Sequence, residues 1–482
     1  MQSTLQKSPA GFNDLDPGHH PWRQRLDTLL NFGANAGADL VEVFLERTDH
    51  LGVLAEQDKI TSVSPSFGMG AGIRVFRDGR DGFVSTNDLS DQGLKDALLQ
   101  ALAMLQLDAS TFASTSGFDG LGTLRDYGIS KNSWLDSTPD LNTITQRLLE
   151  GTQSLGKFGQ HLDVRRGSFA RDWQEVLVAA SDGTFARDIR LHQSSGLSVL
   201  AADGEHRSSI ARRYGSTDRP DDLCNWNVDA SAQEVCDSAA KMLRADYVDG
   251  GQMPVVLANR FGGVIFHEAC GHLLETTQVE RGSTPFADSI GDSIAHSAVT
   301  AIDEGMSGGA FGSISMDDEG MEPQRTVLIE NGILQCFLSD RAGEMRTGHA
   351  RTGSGRRQSH GFAAASRMRN TYIAAGPHSI NDLISSVDHG LYCKSMGAGS
   401  VGATGQFNFS VEEGYLIQNG ELGQPVKGAT LIGDAKEVMP RISMCADDLE
   451  LAAGYCGSVS GSVFVTVGQP HVKVDSITVG GR

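Results

Sequence analysis

The sequence predicts an α+β protein, with an N-terminal α/β lobe of helices and a small sheet followed by a C-terminal, mostly antiparallel β lobe carrying an irregular H-E-x-x-x-H helix. Three observations lead there. Helical and period-two apolar patterns alternate through the first half of the chain. From Met321 onward short apolar runs are divided by turn dipeptides. Between these regions, GQMPVVLANRFGGVIFHEACGHLLE reads as a short strand, a glycine pair and a helix bearing two histidines.

Each element follows from local pattern. After a polar leader over residues 1–20, Trp22 to Ala36 places Leu26, Leu29, Leu30 and Phe32 at helical spacing and stops at Gly37. DLVEVFLERTD, HLGVLAEQ and GAGIRVFRDGRDGFVSTN alternate with period two, broken by Gly and Asp, and read as paired strands joined by tight turns. LSDQGLKDALLQALAMLQ is a helix capped by Ser90. The stretch 109–138 is rich in Ser, Thr, Gly and Asp and reads as a long surface connection. LNTITQRLLEGTQSLG and SAQEVCDSAAKMLRA are further helices, and between them hairpin turns fall at Ser181 to Gly183 and at Asp203 to Gly204. In the second lobe Asn331-Gly332 and Asn419-Gly420 mark hairpins of the primed-turn type. The expected division is 21–230 for the N-terminal α/β domain and 231–482 for the C-terminal domain that carries the two histidines.

Composition narrows the function. A chain of 482 residues exceeds one hydrophobic core. Its 40 Lys and Arg against 60 Asp and Glu give a formal charge of -20, which repels nucleic acid phosphates. No apolar run is long enough to span a membrane, and the start lacks the basic and apolar regions of a secretory signal. Seven scattered cysteines form no disulfide framework, so a reducing cytoplasm is the expected setting.

The chemistry concentrates at His267, Glu268 and His272. Histidines four apart lie roughly 40° from each other around an α-helix, whereas five apart lie about 140° apart. The longer spacing demands a π-bulge or a local opening, which Gly271 tolerates. With the helix so bent, both imidazoles reach one ion, and zinc is the expected metal because imidazole suits it. Catalytic zinc takes three protein ligands; His349, His360, Cys393, Glu413 and Cys456 are the candidates for the third, with glycine-flanked Cys456 attractive for its close approach. Glu268 is placed to move a proton from water to a departing amine. Cys270 reads as a small core residue. Arg356 and Arg357 in TGSGRRQS are candidates to clamp a substrate carboxylate or an oxyanion, set against a surface turn of solvated charges. Glu412 and Glu413 read as solubilising charges at a strand end ahead of acids that support a metal ligand.

FHEACGHLLE, TGSGRRQS, NTYIAAG, ATGQFNFSVEEGYLIQNGEL, PVKGATLIG, GYCG and VGQPHVKVDSITVGG, in this order, resemble the TldD branch of the TldD/PmbA family of modulator-of-gyrase proteins. The likeness spans nearly the whole chain after the leader. It implies a zinc peptidase for small or unfolded peptides, with His267, His272 and Cys456 as ligands and Glu268 as base. It also implies a dimer around the active site, either a homodimer or a heterodimer with a PmbA-like subunit lacking the metal motif. Extended peptide would be held by main-chain pairing. GYCGSVSG departs from relatives that carry a charge soon after the Cys-Gly pair, which leaves local substrate contacts open. The alternative is a noncatalytic peptide-binding or partner subunit using the same groove.

Overall fold

The computed structural model describes residues 22–107, 118–128, 134–305, 308–402 and 405–481; the polar leader and much of the expected 109–138 connection lie outside them. In the strand Leu40–Glu56 (β1) successive side chains point to opposite faces. Val41, Val43 and Leu45 form one buried row, and Glu42, Phe44 and Glu46 the other. Around β1 runs a sheet with Lys59–Arg77 (β2), Arg80–Thr86 (β3), Leu162–Ala180 (β4), Phe185–Asp203 (β5) and His206–Thr217 (β6), in the order β3-β2-β1-β4-β5-β6.

Four helices cover the odd-numbered face. Arg23–Asn35 (α1) and Asp91–Met104 (α2) pack on Val41, Val43, Ile73 and Val75, while Leu141–Phe158 (α3) and Val228–Leu243 (α4) pack on Val53, Phe169, Leu197 and Val199. Ser90 caps α2 by accepting from Gly93 N. The last helix, α4, spans the division expected at residue 230.

The strands are longer than their sequence pattern suggests. β1 continues through Asp49 and His50, where the alternating segments read as separate strands and a turn. His50 Nδ1 lies 2.7 Å from Asp172 Oδ1 on β4, and Arg171 Nη2 donates to Asp49 Oδ1 at 3.2 Å. Cross-strand charge pairing therefore keeps polar residues inside a central strand.

The second lobe is built from an eight-stranded and a six-stranded sheet, mostly antiparallel. Both Asn-Gly hairpins form, with φ of 48° and 84° at Asn331 and Gly332 and of 51° and 75° at Asn419 and Gly420. Positive φ at both central residues is the geometry that matches strand twist.

The even-numbered face of the first sheet carries charge because it meets the second lobe. Arg357 pairs with Glu42 at 2.6 Å, Arg190 with Asp318 at 2.6 Å and Arg341 with Asp182 at 2.5 Å. Glu413, read from sequence as a solubilising charge, is buried in mid-strand and accepts from Ser238 of α4, Lys394 and Tyr415. Burial of a carboxylate is tolerable only with such a set of donors.

Glu319 is the least comfortable member of this seam. Burial, then Asp340 and Glu42, push its carboxyl up to about 8 against the opposing pull of Arg351. A carboxyl that holds its proton more tightly when folded stabilises the native state at low pH, and this contribution is lost as pH rises toward the folded value. The thermal midpoint of Glu319→Gln relative to the parent chain should therefore climb between about pH 5 and about pH 8. A difference that stays constant over that window would refute the assignment.

Candidate metal site

The site begins with a close crossing of backbones. The strand Gly251–Leu257 (β7) leads into a turn at Arg260–Gly263 and then the helix Val264–Ala269 (α5). A Cβ on Gly263 would fall 2.5 Å from the main chain of Gly468, and one on Gly262 would fall 2.7 Å from Gln469 Nε2. The glycine pair thus lets the helix start press directly on a neighbouring strand.

The chain leaves the α-helix between the two histidines. α5 has six residues and ends at Cys270, with φ −127° and ψ −44°, and Gly271–Leu274 continues as a 3-10 turn. The distortion is a helix end followed by a tighter turn rather than a π-bulge. Gly271 serves packing: a Cβ there would sit 2.3 Å from Met368 Sδ. The break brings the imidazoles of His267 and His272 to a centroid separation of 5.0 Å at 83°.

The third member arrives from the hairpin of Glu450–Ser458 (β8) and Gly461–Gln469 (β9), in which Cys456 faces Val463. Cys456 Sγ lies 3.3 Å from His272 Nε2. Buried Arg367 holds the hairpin by donating to Cys456 O, to Ser460 Oγ at 2.9 Å and to Gly461 O at 2.8 Å. One ligand atom each of His267, His272 and Cys456 falls within 4.8 Å of the others.

Two carboxylates flank this cluster. Glu268 Oε2 is 3.7 Å from His272 Nε2, and its side chain keeps 24% exposure. Fully buried Glu275 places Oε2 3.3 Å from His272 Nδ1. An ionised carboxylate can only accept, so Nδ1 is the donor of this contact, and Nε2 is the nitrogen turned toward Cys456. Glu275 was not singled out in the sequence; its signal was an acid three residues beyond His272, at the end of an apolar stretch.

The electrostatics favour a thiolate at Cys456 beside a protonated His272, so a metal bound there would displace the imidazole proton. Burial opposes ionisation of the Cys456 thiol, but the imidazoles of His267 and His272 hold it well below the ordinary range. Burial likewise opposes charge on His272, which Glu275 and then Cys456 raise well above its usual value. His267 Nδ1 is buried without a hydrogen-bond partner. Two imidazoles and a thiolate are donors that suit zinc.

The other candidates go elsewhere. His349 packs on Phe337, His360 Nδ1 sits 2.9 Å from Glu46 Oε2, Cys393 is in the core, and Glu413 belongs to the seam between lobes. Cys270 is buried, its thiol pushed up to about 12 by burial. Arg356 and Arg357 are buried too, not solvated on a surface turn. Arg357 is committed to Glu42 and to Asp318 O, which removes it as a substrate clamp. Arg356 donates to the carbonyls of Met368 and Phe464.

An N, N, S donor set with an adjacent, partly exposed carboxylate on an α+β scaffold is the arrangement of a metal-dependent hydrolase. The sequence matches three domains of one family: PmbA/TldA metallopeptidase domain 1 over 41–105, the central domain over 131–243 and the C-terminal domain over 250–481. The chain belongs to the PmbA/TldD metallopeptidase family. It is 32% identical over 471 residues to a metalloprotease TldD homolog of Haemophilus influenzae, covering 95% of this chain and 96% of that protein. It is 34% identical over 242 residues to a zinc metalloprotease TldD homolog of Saccharolobus solfataricus, covering 50% of this chain and 54% of that protein. The crystal structure of TldE from Thermococcus kodakarensis shares the fold, with a TM-score of 0.75 at 20% identity over 95% of this chain and all of that one.

Were zinc held at this site, Glu275→Gln should weaken its binding by about 10- to 100-fold, because the carboxylate at His272 Nδ1 orients that ring. Competition with a chromophoric chelator measures this, and an unchanged affinity would reduce Glu275 to a packing residue.

Proposed function

We propose that this chain is a zinc-dependent peptidase for small or unfolded peptides, with His267, His272 and Cys456 holding the ion and Glu268 as general base. The observation that carries the reading is the approach of three donors to within 4.8 Å from two segments far apart in sequence. When bound, zinc supplies a Lewis acid that polarises a scissile carbonyl and makes water more acidic. Glu268 then receives a proton from the attacking water and returns it to the leaving amine. Glu275 keeps His272 oriented, and Arg367 keeps the Cys456 hairpin in place.

The peptide would lie extended, held by main-chain hydrogen bonds, which reads shape more than side chains. The likeness to TldE supports assembly with a PmbA-like subunit, and a homodimer is the simpler form of the same enclosure. The scatter of the seven cysteines along the chain is what supports a reducing cytoplasm as the setting. Among the described residues no helix is long and apolar enough to cross a membrane.

Glu268→Gln should lower peptide cleavage by about 10²- to 10⁴-fold while leaving about one zinc per chain. Full activity in this variant would exclude Glu268 as the base.

One observation favours a second reading. Cys456, His272 and Glu275 line up with contacts of 3.3 Å each, which is also the order of a thiol nucleophile, a base and its orienting acid. Chelation separates the two: it abolishes cleavage by a metallopeptidase and leaves a thiol peptidase active until alkylated.

A further inference from the structure

Beside the Cys456 hairpin lies a cavity of about 30 Å³ whose lining includes Arg190, Arg356, Arg357, Gln358, Ser462 and one carboxylate, Asp318. Three guanidinium groups converge there, and two of them have their charge answered. Arg190 pairs with Asp318 at 2.6 Å and stands 3.6 Å from Asp188, and Arg357 pairs with Glu42. Arg356 does not: its two hydrogen bonds, of 3.0 and 2.7 Å, both run from Nη1 to main-chain carbonyls. Among the described residues no carboxylate comes within ion-pair distance of it.

An arginine cannot shed its proton to escape burial, so a buried guanidinium without a counter-charge is costly. Burial pulls its proton affinity down to about 10, Arg190 and Arg367 add to that pull, and Asp318 and Asp303 oppose it. The Nη1 bonds leave the Nε and Nη2 edge free for a planar, two-oxygen acceptor. The volume admits about one or two water-sized groups, which suits a carboxylate head and excludes a whole side chain. Gln358 and Ser462 are both exposed, and Ser462 N donates to Gln358 Oε1 at 2.8 Å across the opening.

We propose that this cavity is an anion pocket that binds one carboxylate group on Arg356. Val463, which also lines it, faces Cys456 across the hairpin, so the occupied pocket and the candidate metal site share a wall. The carboxylate comes either from a free small acid or from the C-terminus of a peptide; only the second source rests on the peptidase reading.

Thermal unfolding of the full chain in rising sodium acetate, at ionic strength held constant with sodium methanesulfonate, tests the pocket. Acetate should raise the midpoint of the parent chain, acetamide should not, and Arg356→Met should abolish the effect. Gln358→Glu guards against misfolding of that variant, since it keeps the acceptor for Ser462 N. Its added charge at the opening should raise the half-maximal acetate concentration by about tenfold. No acetate-specific shift in the parent chain, or the same shift in both variants, overturns the proposal.

A labelled hexapeptide with a free or an amidated C-terminus, bound to the Glu268→Gln chain and followed by anisotropy, then identifies the source. Preference for the free acid that disappears with Arg356→Met marks a peptide terminus, and equal binding marks a free acid. The acetate arm needs no turnover, so it stands or falls separately from the peptidase reading.

Discussion

Everything at the candidate centre depends on one constraint: two imidazoles five residues apart must face the same point. A continuous α-helix cannot do this, and the chain solves it by ending α5 at Cys270 and tightening into a 3-10 turn. The turn is held by its surroundings rather than by propensity. Met368 fills the space a side chain at Gly271 would need, and the strand β9 lies against Gly262 and Gly263. These glycines act by close approach of neighbours, not by a left-handed backbone, since none of them has a positive φ.

A second requirement is that the hairpin bearing Cys456 stay beside that turn. Arg367 meets it with three bonds to the hairpin, all from a guanidinium with no exposure. Arginine suits the task because its planar fork serves several carbonyls at once and its charge survives burial. The same residue type recurs between the lobes, where Arg190, Arg341 and Arg357 meet carboxylates of the opposite lobe. Such buried pairs are a weak source of net stability but cost several kcal/mol if one partner is removed. They therefore act on how the lobes register against each other.

Much of the architecture was legible because local physics decided it. The Asn-Gly turns, the Ser90 cap, the helix from Arg23 and the hairpins at Asp182-Gly183 and Asp203-Gly204 each rest on contacts within a few residues. Reading failed where partners distant in sequence changed the meaning of a residue. Asp49 and His50 look like a turn until Arg171 and Asp172 stand beside them. Glu413 and the Arg356-Arg357 pair look solvated until the opposite lobe or a neighbouring strand buries them.

By itself the sequence determined that the chain is a mixed α+β protein with His267, Glu268 and His272 in an apolar stretch, because periodicity and turn chemistry are properties of neighbouring residues. The likeness of its motifs pointed to Cys456 among the five candidates, and the tertiary structure set that thiol beside His272, put Glu275 against the same ring and bound Arg357 away from the site. Those outcomes depend on contacts such as that between Cys456 and His272, 184 positions apart. Strand pairing creates such contacts, and no local pattern encodes them.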